Sequence, residues 1–166
     1  MDVILTELSA NTTMPWQVIL LRLLGAVMLT GLIGLERESM HSPAGLRTHM
    51  LVSLAAALFC LVTLEMVGRD YPDNVRSDPL RMVEAVTAGV AFLAAGMIVF
   101  SKGEVKGLTT GASLWLASAI GLCAGLGLWP MAVMTTVIAL VIIRLLRLVS
   151  KPAAGENGER PEQQGR

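Results

Sequence analysis

Long apolar segments alternate with short polar ones along most of the chain. A helix needs about 20 residues to cross the roughly 30 Å hydrocarbon core of a bilayer, and four segments approach that length. A fifth is shorter, but Arg144 and Arg147 can reach the headgroups and let the helix continue to about Val149. The predicted spans are Val18–Leu35, Thr48–Val67, Val83–Phe100, Leu108–Leu128 and Trp129–Ile143. The pattern therefore predicts an all-α integral membrane bundle of about five transmembrane helices.

The polar ends define three predicted regions. Residues 1–17 form an extracytoplasmic leader, residues 18–149 the transmembrane domain, and residues 150–166 a tail rich in Pro, Gly and Glu that is expected to be disordered. A cleavable signal peptide is not expected, because Asp2 and Glu7 stand where a basic region would precede the apolar run.

The placement of Lys and Arg predicts the orientation. In a chain whose N-terminus is outside, most of these residues fall in inside segments, as the positive-inside rule requires. The inside set is Arg37, Arg47, Lys102, Lys106, Arg144, Arg147 and Lys151, and the outside set is Arg69, Arg76 and Arg81. We expect a multi-pass membrane protein with an outward N-terminus and a cytoplasmic C-terminus.

Composition and motifs exclude several classes of function. The chain is 54% hydrophobic with a mean hydropathy of +0.64, and its 13 basic and 13 acidic residues give no excess charge to attract nucleic acid. Cys60 and Cys123 both lie inside apolar runs and are expected to pack as small hydrophobic residues. Because the common catalytic, phosphate-loop and metal-ligand patterns are missing from the sequence, we expect no enzyme, no cofactor and no resident metal.

A charged segment joins the first two predicted spans and forms the main candidate motif. Its residues are Glu36, Arg37, Glu38, Pro43, Gly45, Arg47, Thr48 and His49. Glu36 and Glu38 invite a magnesium site, but residues two apart on a helix point to different faces. We therefore interpret the segment as a charged cytosolic hinge. Arg47 is expected to contact Glu36 or a lipid phosphate, and His49 to be hydrogen-bonded or to act as a pH sensor.

A second candidate motif surrounds the third span and the start of the fourth. Asp78 followed by Pro79 is typical of a helix N-cap. The motif comprises Asp78, Arg81, Gly89, Gly96, Lys106, Gly107, Thr109 and Thr110. A weak repeat at a spacing of 62 residues aligns Gly45 and Thr48 with Gly107 and Thr110, which predicts a parallel repeat of helical hairpins.

Charged and small residues inside the spans suggest further contacts. Arg22, Glu65 and Glu84 are expected at similar depth near the outer side, where we predict an ion-paired intramembrane cluster. Glycine and alanine on the helix faces favour close helix packing and self-association. Trp115 is expected to pack in the core.

Three sequence blocks carry a family resemblance. GLERESMHSPAGLRTHMLVSLAAALF, DPLRMVEAVTAGVAFLAAG and KGLTTGASLWLASAIGL resemble the MgtC/SapB family of bacterial inner-membrane proteins over about residues 31–122. The resemblance implies a small multispan protein connected with growth at low magnesium, with acid stress and, in some members, with survival in host macrophages. It also implies the lipid bilayer and other membrane proteins as partners, among them the membrane ATP synthase.

The chain departs from the family pattern in places. Ala91 and Ala94 replace glycines of the common family sequence, and Ala85 stands where a polar amide is expected. Many relatives also carry a soluble C-terminal domain resembling the ACT fold, and this chain is expected to be a short form without it. We expect a non-enzymatic regulator or interaction partner; the alternative is a small magnesium or proton transporter or channel.

Overall fold

Five helices and one short hairpin make up the part of the chain that the computed structural model describes, which is residues 12–68, 78–101 and 104–149. The helices are α1 (Trp16–Ser39), α2 (Leu46–Val67), α3 (Pro79–Gly96), α4 (Leu108–Leu126) and α5 (Trp129–Val149), and the strands are β1 (Val99–Ser101) and β2 (Glu104–Lys106). Most of the predicted leader, the polar loop over 69–77 and the predicted tail lie outside the described residues.

The predicted helical bundle is confirmed. Helices α1 to α4 are each long and apolar enough to cross a membrane, and α5 is an apolar helix beginning at Trp129. The prediction was wrong at the end of the third span, which stops at Gly96 rather than Phe100. The following residues pair with β2 in an antiparallel hairpin, with Phe100 opposite Val105. Valine and phenylalanine favour extended backbone, which explains why this apolar stretch leaves the helix.

Helix α4 forms the centre of the bundle and packs against each of the other four helices. Eleven of its residues are buried, whereas α3 has no buried residue. An apolar segment that is buried around much of its circumference is a core helix, and one that is exposed throughout is peripheral. The order of the predicted spans in the sequence does not distinguish these two roles.

Glycines allow the backbones of α2 and α4 to touch. A Cβ atom built on Gly121 would lie 2.9 Å from Ser53 Cα and would overlap the Ser53 carbonyl oxygen. One turn further along, a Cβ on Gly125 would lie 2.9 Å from the Ala57 carbonyl oxygen. Close backbone approach increases van der Waals contact, which is what holds helices together where lipid competes equally for apolar side chains.

Helix α1 also packs closely at two of its glycines. A Cβ on Gly34 would lie 2.7 Å from Leu46 Cα, so the hinge can bring α2 directly against α1. Nine residues earlier, the Trp129 indole covers Gly25. The prediction for Trp115 was wrong: its side chain is 50% exposed, because it lies on the outer side of the central helix.

Helix α3 lies on the outside of the bundle against α4 and α2. A Cβ added to Gly89 or Gly96 would meet no atom within 4 Å, whereas one on Gly111 would lie 3.4 Å from the Ala94 side chain. Ala94, one of the departures from the family pattern, is therefore at the α3–α4 contact. The predicted repeat remains a prediction, although Gly45 and Gly107 both occupy helix N-cap positions.

Asp78 caps α3, as the sequence predicts. Its carboxylate accepts a hydrogen bond from the Leu80 backbone N–H at 3.0 Å, and Pro79 occupies the first helical position. We expect Asp78→Ala to lower the free energy of unfolding by about 1 kcal/mol, because a donor at the helix end loses its partner. Denaturant titration in detergent measures the change. Asp78→Asn should retain most of the stability, and an equal loss in both variants would contradict a capping role.

Candidate functional site at the hinge end

Within the hinge, residues 40–45 connect α1 to α2, and we call the end of the bundle where they lie the hinge end. His41 has a positive φ of 52°, and the Ser42 backbone N–H donates to the Arg37 carbonyl at 3.2 Å, which terminates α1. Ala44 is fully buried, whereas Pro43 is exposed. This turn sends the chain back along α1.

The two hinge carboxylates point to different helices. Glu36 accepts from Arg144 Nε of α5 at 3.3 Å, and Glu38 accepts from the Leu46 backbone N–H at the start of α2 at 2.8 Å. Their separation on the helix produces this divergence. The two groups therefore act at separate contacts, and neither is directed at a shared ion.

Arg37, between these carboxylates in sequence, points into the bundle. Its side chain is only 5% exposed, and Nη2 donates to the Thr110 hydroxyl of α4 at 3.0 Å. Its Nε atom is buried without a hydrogen-bond partner. A charged group in this position is unusual, because burial of a cation is costly without an anion beside it.

His49 is fully buried and joins the hinge to α4. Its Nδ1 lies 2.8 Å from the Gly45 carbonyl oxygen, and its Nε2 lies 3.0 Å from the Ser113 hydroxyl. The same hydroxyl lies 2.9 Å from the Thr110 carbonyl oxygen. Arg37, His49, Thr110 and Ser113 thus form one connected group from three helices, which we call the buried polar cluster.

Hydrogen bonding constrains where His49 carries its proton. A carbonyl oxygen only accepts, so Nδ1 must donate to Gly45, and in the neutral ring Nε2 accepts from Ser113. In the doubly protonated ring Nε2 donates to Ser113, whose hydroxyl then turns to the Thr110 carbonyl. Both states keep every hydrogen bond of the ring, so the distances between heavy atoms fit either state.

The remaining residues of the hinge motif lie nearer the surface. Arg47 is exposed and makes neither a hydrogen bond nor an ion pair with a described residue, and Thr48 is half-buried. The expected contact between Arg47 and Glu36 is therefore not present, because Glu36 bonds Arg144 of α5. Both Arg47 and Thr48 line an open polar depression of about 470 Å³ beside Glu38.

Only part of the second motif reaches the buried polar cluster. Thr110 belongs to it, while Lys106 and Thr109 are exposed beside it at the start of α4. Gly107 has a φ of +88° and sits against the Met97 carbonyl, a position that a side chain could not share. Asp78, Arg81, Gly89 and Gly96 belong to α3 and its cap, and all four are exposed.

The three charged residues predicted to cluster have other principal contacts. Arg22 donates to the Gly125 carbonyl at 2.8 Å, near the C-terminal end of α4, where a positive charge is favourable. Glu65 accepts from the Thr13 backbone N–H at 2.9 Å and from its hydroxyl at 2.6 Å. Glu84 is exposed on α3. The structure thus places the three in different surroundings.

Ser113 belongs to neither predicted motif, yet its hydroxyl joins His49 to α4. The available signal was its spacing of three from Thr110, which puts both side chains on one face of a helix.

Known proteins resemble this chain over most of its length. The model of the MgtC family matches residues 23–151. Protein MgtC of Brucella abortus is 42% identical over 75% of this chain and 50% of its own length, and an uncharacterised protein of Haemophilus influenzae is 36% identical over 81% and 58%. The Escherichia coli K12 protein named "Putative magnesium transporter YhiD" is 35% identical over 76% and 59%.

The chain spans between 50% and 59% of the length of these three proteins. No solved structure matches the chain. The family model covers all of α2, α3, α4 and α5 and most of α1, including every member of the buried polar cluster. The chain is a multi-pass membrane protein and belongs to the MgtC family.

Proposed function

We propose that this protein is a non-enzymatic membrane regulator or interaction partner that acts in adaptation to low magnesium or acid stress. The observation that carries the proposal is the closed middle of the bundle, where α2 and α4 meet backbone to backbone at Gly121 and Gly125. Alanines 56, 57, 117 and 124 fill the same region and are at most 1% exposed. A hydrated ion has no space to pass between these helices.

Polar side chains at mid-depth also support a closed interior. The hydroxyls of Thr30 and Ser53 both donate to the Ala26 carbonyl, at 2.8 and 3.1 Å. Thr87 donates to the Val83 carbonyl at 2.6 Å. A hydroxyl has one proton to donate, and each of these protons is used on a backbone carbonyl inside the bundle, which supports a closed interior without a polar path between the two ends.

The charges at the hinge end oppose magnesium more than they attract it. The buried charge there is the Arg37 guanidinium, which repels a divalent cation. Glu36 and Glu38 bond to separate partners, and the described residues contain no group of three or more His, Cys, Asp or Glu able to hold a metal ion. These features favour sensing or partner binding over magnesium transport.

The partners in this proposal are the lipid bilayer and another membrane protein. The membrane ATP synthase is the candidate that the family resemblance implies, and a second copy of the chain is the other. Helix α3 supports a contact with a neighbour in the membrane, since none of its residues is buried and Phe92 is 83% exposed. The predicted inner-membrane location and outward N-terminus are part of this proposal.

A small transporter or channel is the second candidate. The buried polar cluster favours it, because ionisable residues within membrane spans commonly mark ion or proton pathways. The Escherichia coli relative also carries the name "Putative magnesium transporter YhiD". For this candidate, the cluster would have to connect to the opposite end of the bundle during transport.

Purified protein in liposomes separates the two candidates. We expect magnesium and proton flux no faster than in protein-free liposomes, because the middle of the bundle is closed. In liposomes that also contain ATP synthase, we expect the protein to reduce ATP-driven proton pumping. The regulator proposal would be contradicted if the unmodified protein showed saturable flux that is lost in Arg37→Gln and kept in the exposed Glu84→Gln variant. Unchanged pumping would exclude ATP synthase as the partner.

A further inference from the structure

Arg37 is a buried cation whose neighbours do not neutralise it. Its hydrogen bond goes to the uncharged Thr110 hydroxyl, and it makes no ion pair with a described residue. The nearest carboxylates in sequence are engaged elsewhere, Glu36 with Arg144 and Glu38 with the Leu46 backbone N–H. An unpaired buried charge costs several kcal/mol, so an anion at this point would remove a large penalty.

The start of α4 adds to the positive potential around Arg37. The N-cap residue is Gly107, which has no side chain to accept from the first-turn N–H groups, and Thr110 is the third residue of the helix. Unsatisfied N–H groups give a helix N-terminus a partial positive charge. The Arg37 guanidinium therefore lies against a second positive group.

The remaining titratable neighbour is His49, which connects to Thr110 through Ser113. It is neutral or positive and provides no negative charge. Beyond the buried polar cluster, Lys106 immediately precedes the α4 N-cap and Arg47 is exposed in the first turn of α2. His49, Lys106 and Arg47 thus supply donors and positive charge at this end of the bundle.

We propose that Arg37 and the first turn of α4 bind a phosphate group. The buried Nε of Arg37 has no hydrogen-bond partner, and Nε with a neighbouring Nη forms the edge that binds an oxyanion through two parallel hydrogen bonds. The other oxygens of a tetrahedral phosphate can accept hydrogen bonds from the helix N–H groups, as anions bound at helix N-termini commonly do. Its source is either a phospholipid headgroup or inorganic phosphate.

A ligand-binding role for Arg37 predicts an unusual effect of its removal on the stability of the protein. If Arg37 is kept for ligand binding, its removal should stabilise the ligand-free protein, because a buried uncompensated charge disappears. If Arg37 only supports Thr110, its removal should destabilise the protein, because the Thr110 hydroxyl loses a donor. The sign of the change separates a binding role from a structural one.

Thermal unfolding of the full, delipidated protein in an uncharged detergent tests the site. Inorganic phosphate is titrated against chloride at equal ionic strength, and phosphatidic acid is compared with diacylglycerol, which has no phosphate. We expect at least one of the two phosphate sources to raise the Tm of the unmodified protein. A response to inorganic phosphate identifies a soluble ligand, and a response to phosphatidic acid alone identifies a headgroup; either supports the site.

Substitutions at Arg37 test whether the rise in Tm with phosphate depends on this residue. Arg37→Gln should have a higher Tm than the unmodified protein without ligand and should lose the phosphate response. Arg37→Lys keeps the charge but lacks the two-pronged edge, and its apparent affinity should fall about 10-fold or more. Arg47→Gln, which removes an exposed positive charge at the same end, should respond like the unmodified protein.

Three results would overturn the proposal. One is a Tm that neither phosphate source changes. Another is an Arg37→Gln protein that responds as strongly as the unmodified one. The third is a ligand-free Arg37→Gln protein with a lower Tm, which would show that Arg37 has a structural role.

Discussion

Gly121→Ala is expected to lower the free energy of unfolding by about 1 to 3 kcal/mol, the usual cost of overfilling a packed interior. The added Cβ would overlap the Ser53 carbonyl oxygen and lie 2.9 Å from Ser53 Cα. These are backbone atoms, so a rotamer change cannot relieve the clash, and α2 and α4 must move apart. Because α4 packs on every other helix, this separation should loosen the whole bundle.

Gly89→Ala provides the matched control. Gly89 is also a helical glycine in a candidate span, but a Cβ there would meet no atom within 4 Å. Alanine forms helix better than glycine by up to about 1 kcal/mol, so this variant should be as stable as the unmodified protein or more so. Unfolding in mixed detergent micelles, followed by circular dichroism, compares the two. Equal stability of both variants would disprove the close α2–α4 contact.

His49→Ala is expected to have the other large effect, a loss of about 2 to 5 kcal/mol in the free energy of unfolding. The ring is fully buried, so its removal leaves a cavity. It also removes the hydrogen-bond partner of the Gly45 carbonyl, which lies 2.8 Å from Nδ1, and that of the Ser113 hydroxyl, which lies 3.0 Å from Nε2. The hinge should consequently separate from α4.

The chain's other histidine serves as the control for this substitution. His41 is exposed and has a positive φ of 52°, which asparagine tolerates well, so His41→Asn should change stability little. A double-mutant cycle of His49→Ala with Ser113→Ala should give a coupling of about 0.5 to 3 kcal/mol, since the two side chains are in direct contact. Additive effects would show that the His49–Ser113 hydrogen bond contributes nothing to stability.

Local features were predictable where neighbouring residues decide them. The helix start at Asp78 depends on its own carboxylate, the adjacent proline and the Leu80 N–H. The divergence of Glu36 and Glu38 follows from the helical repeat alone. The spans were predictable because an apolar run of sufficient length has few alternatives to a membrane helix. The end of α3 was mispredicted because an apolar run also suits a short hairpin.

The buried polar cluster was not predictable as a unit. In the sequence, Arg37 stands between two carboxylates and resembles a surface charge, and Arg47 was expected to contact Glu36 or a lipid phosphate. In the structure, Arg37 is only 5% exposed and enters the bundle, whereas Arg47 faces outward. Which side chain enters the bundle depends on the rotation of α1 about its own axis, and the weak asymmetry of an almost wholly apolar helix does not specify that rotation.

The sequence by itself determined the class of protein, the number and order of its helices and its family. These follow from hydrophobic length, helix-capping chemistry and motifs within short stretches of chain. Only the tertiary structure decided that α4 is central, that α3 is peripheral and that Arg37, His49, Thr110 and Ser113 meet. Such contacts join residues up to 73 positions apart. They depend on where glycines let two backbones approach, which becomes apparent only when the helices are packed together.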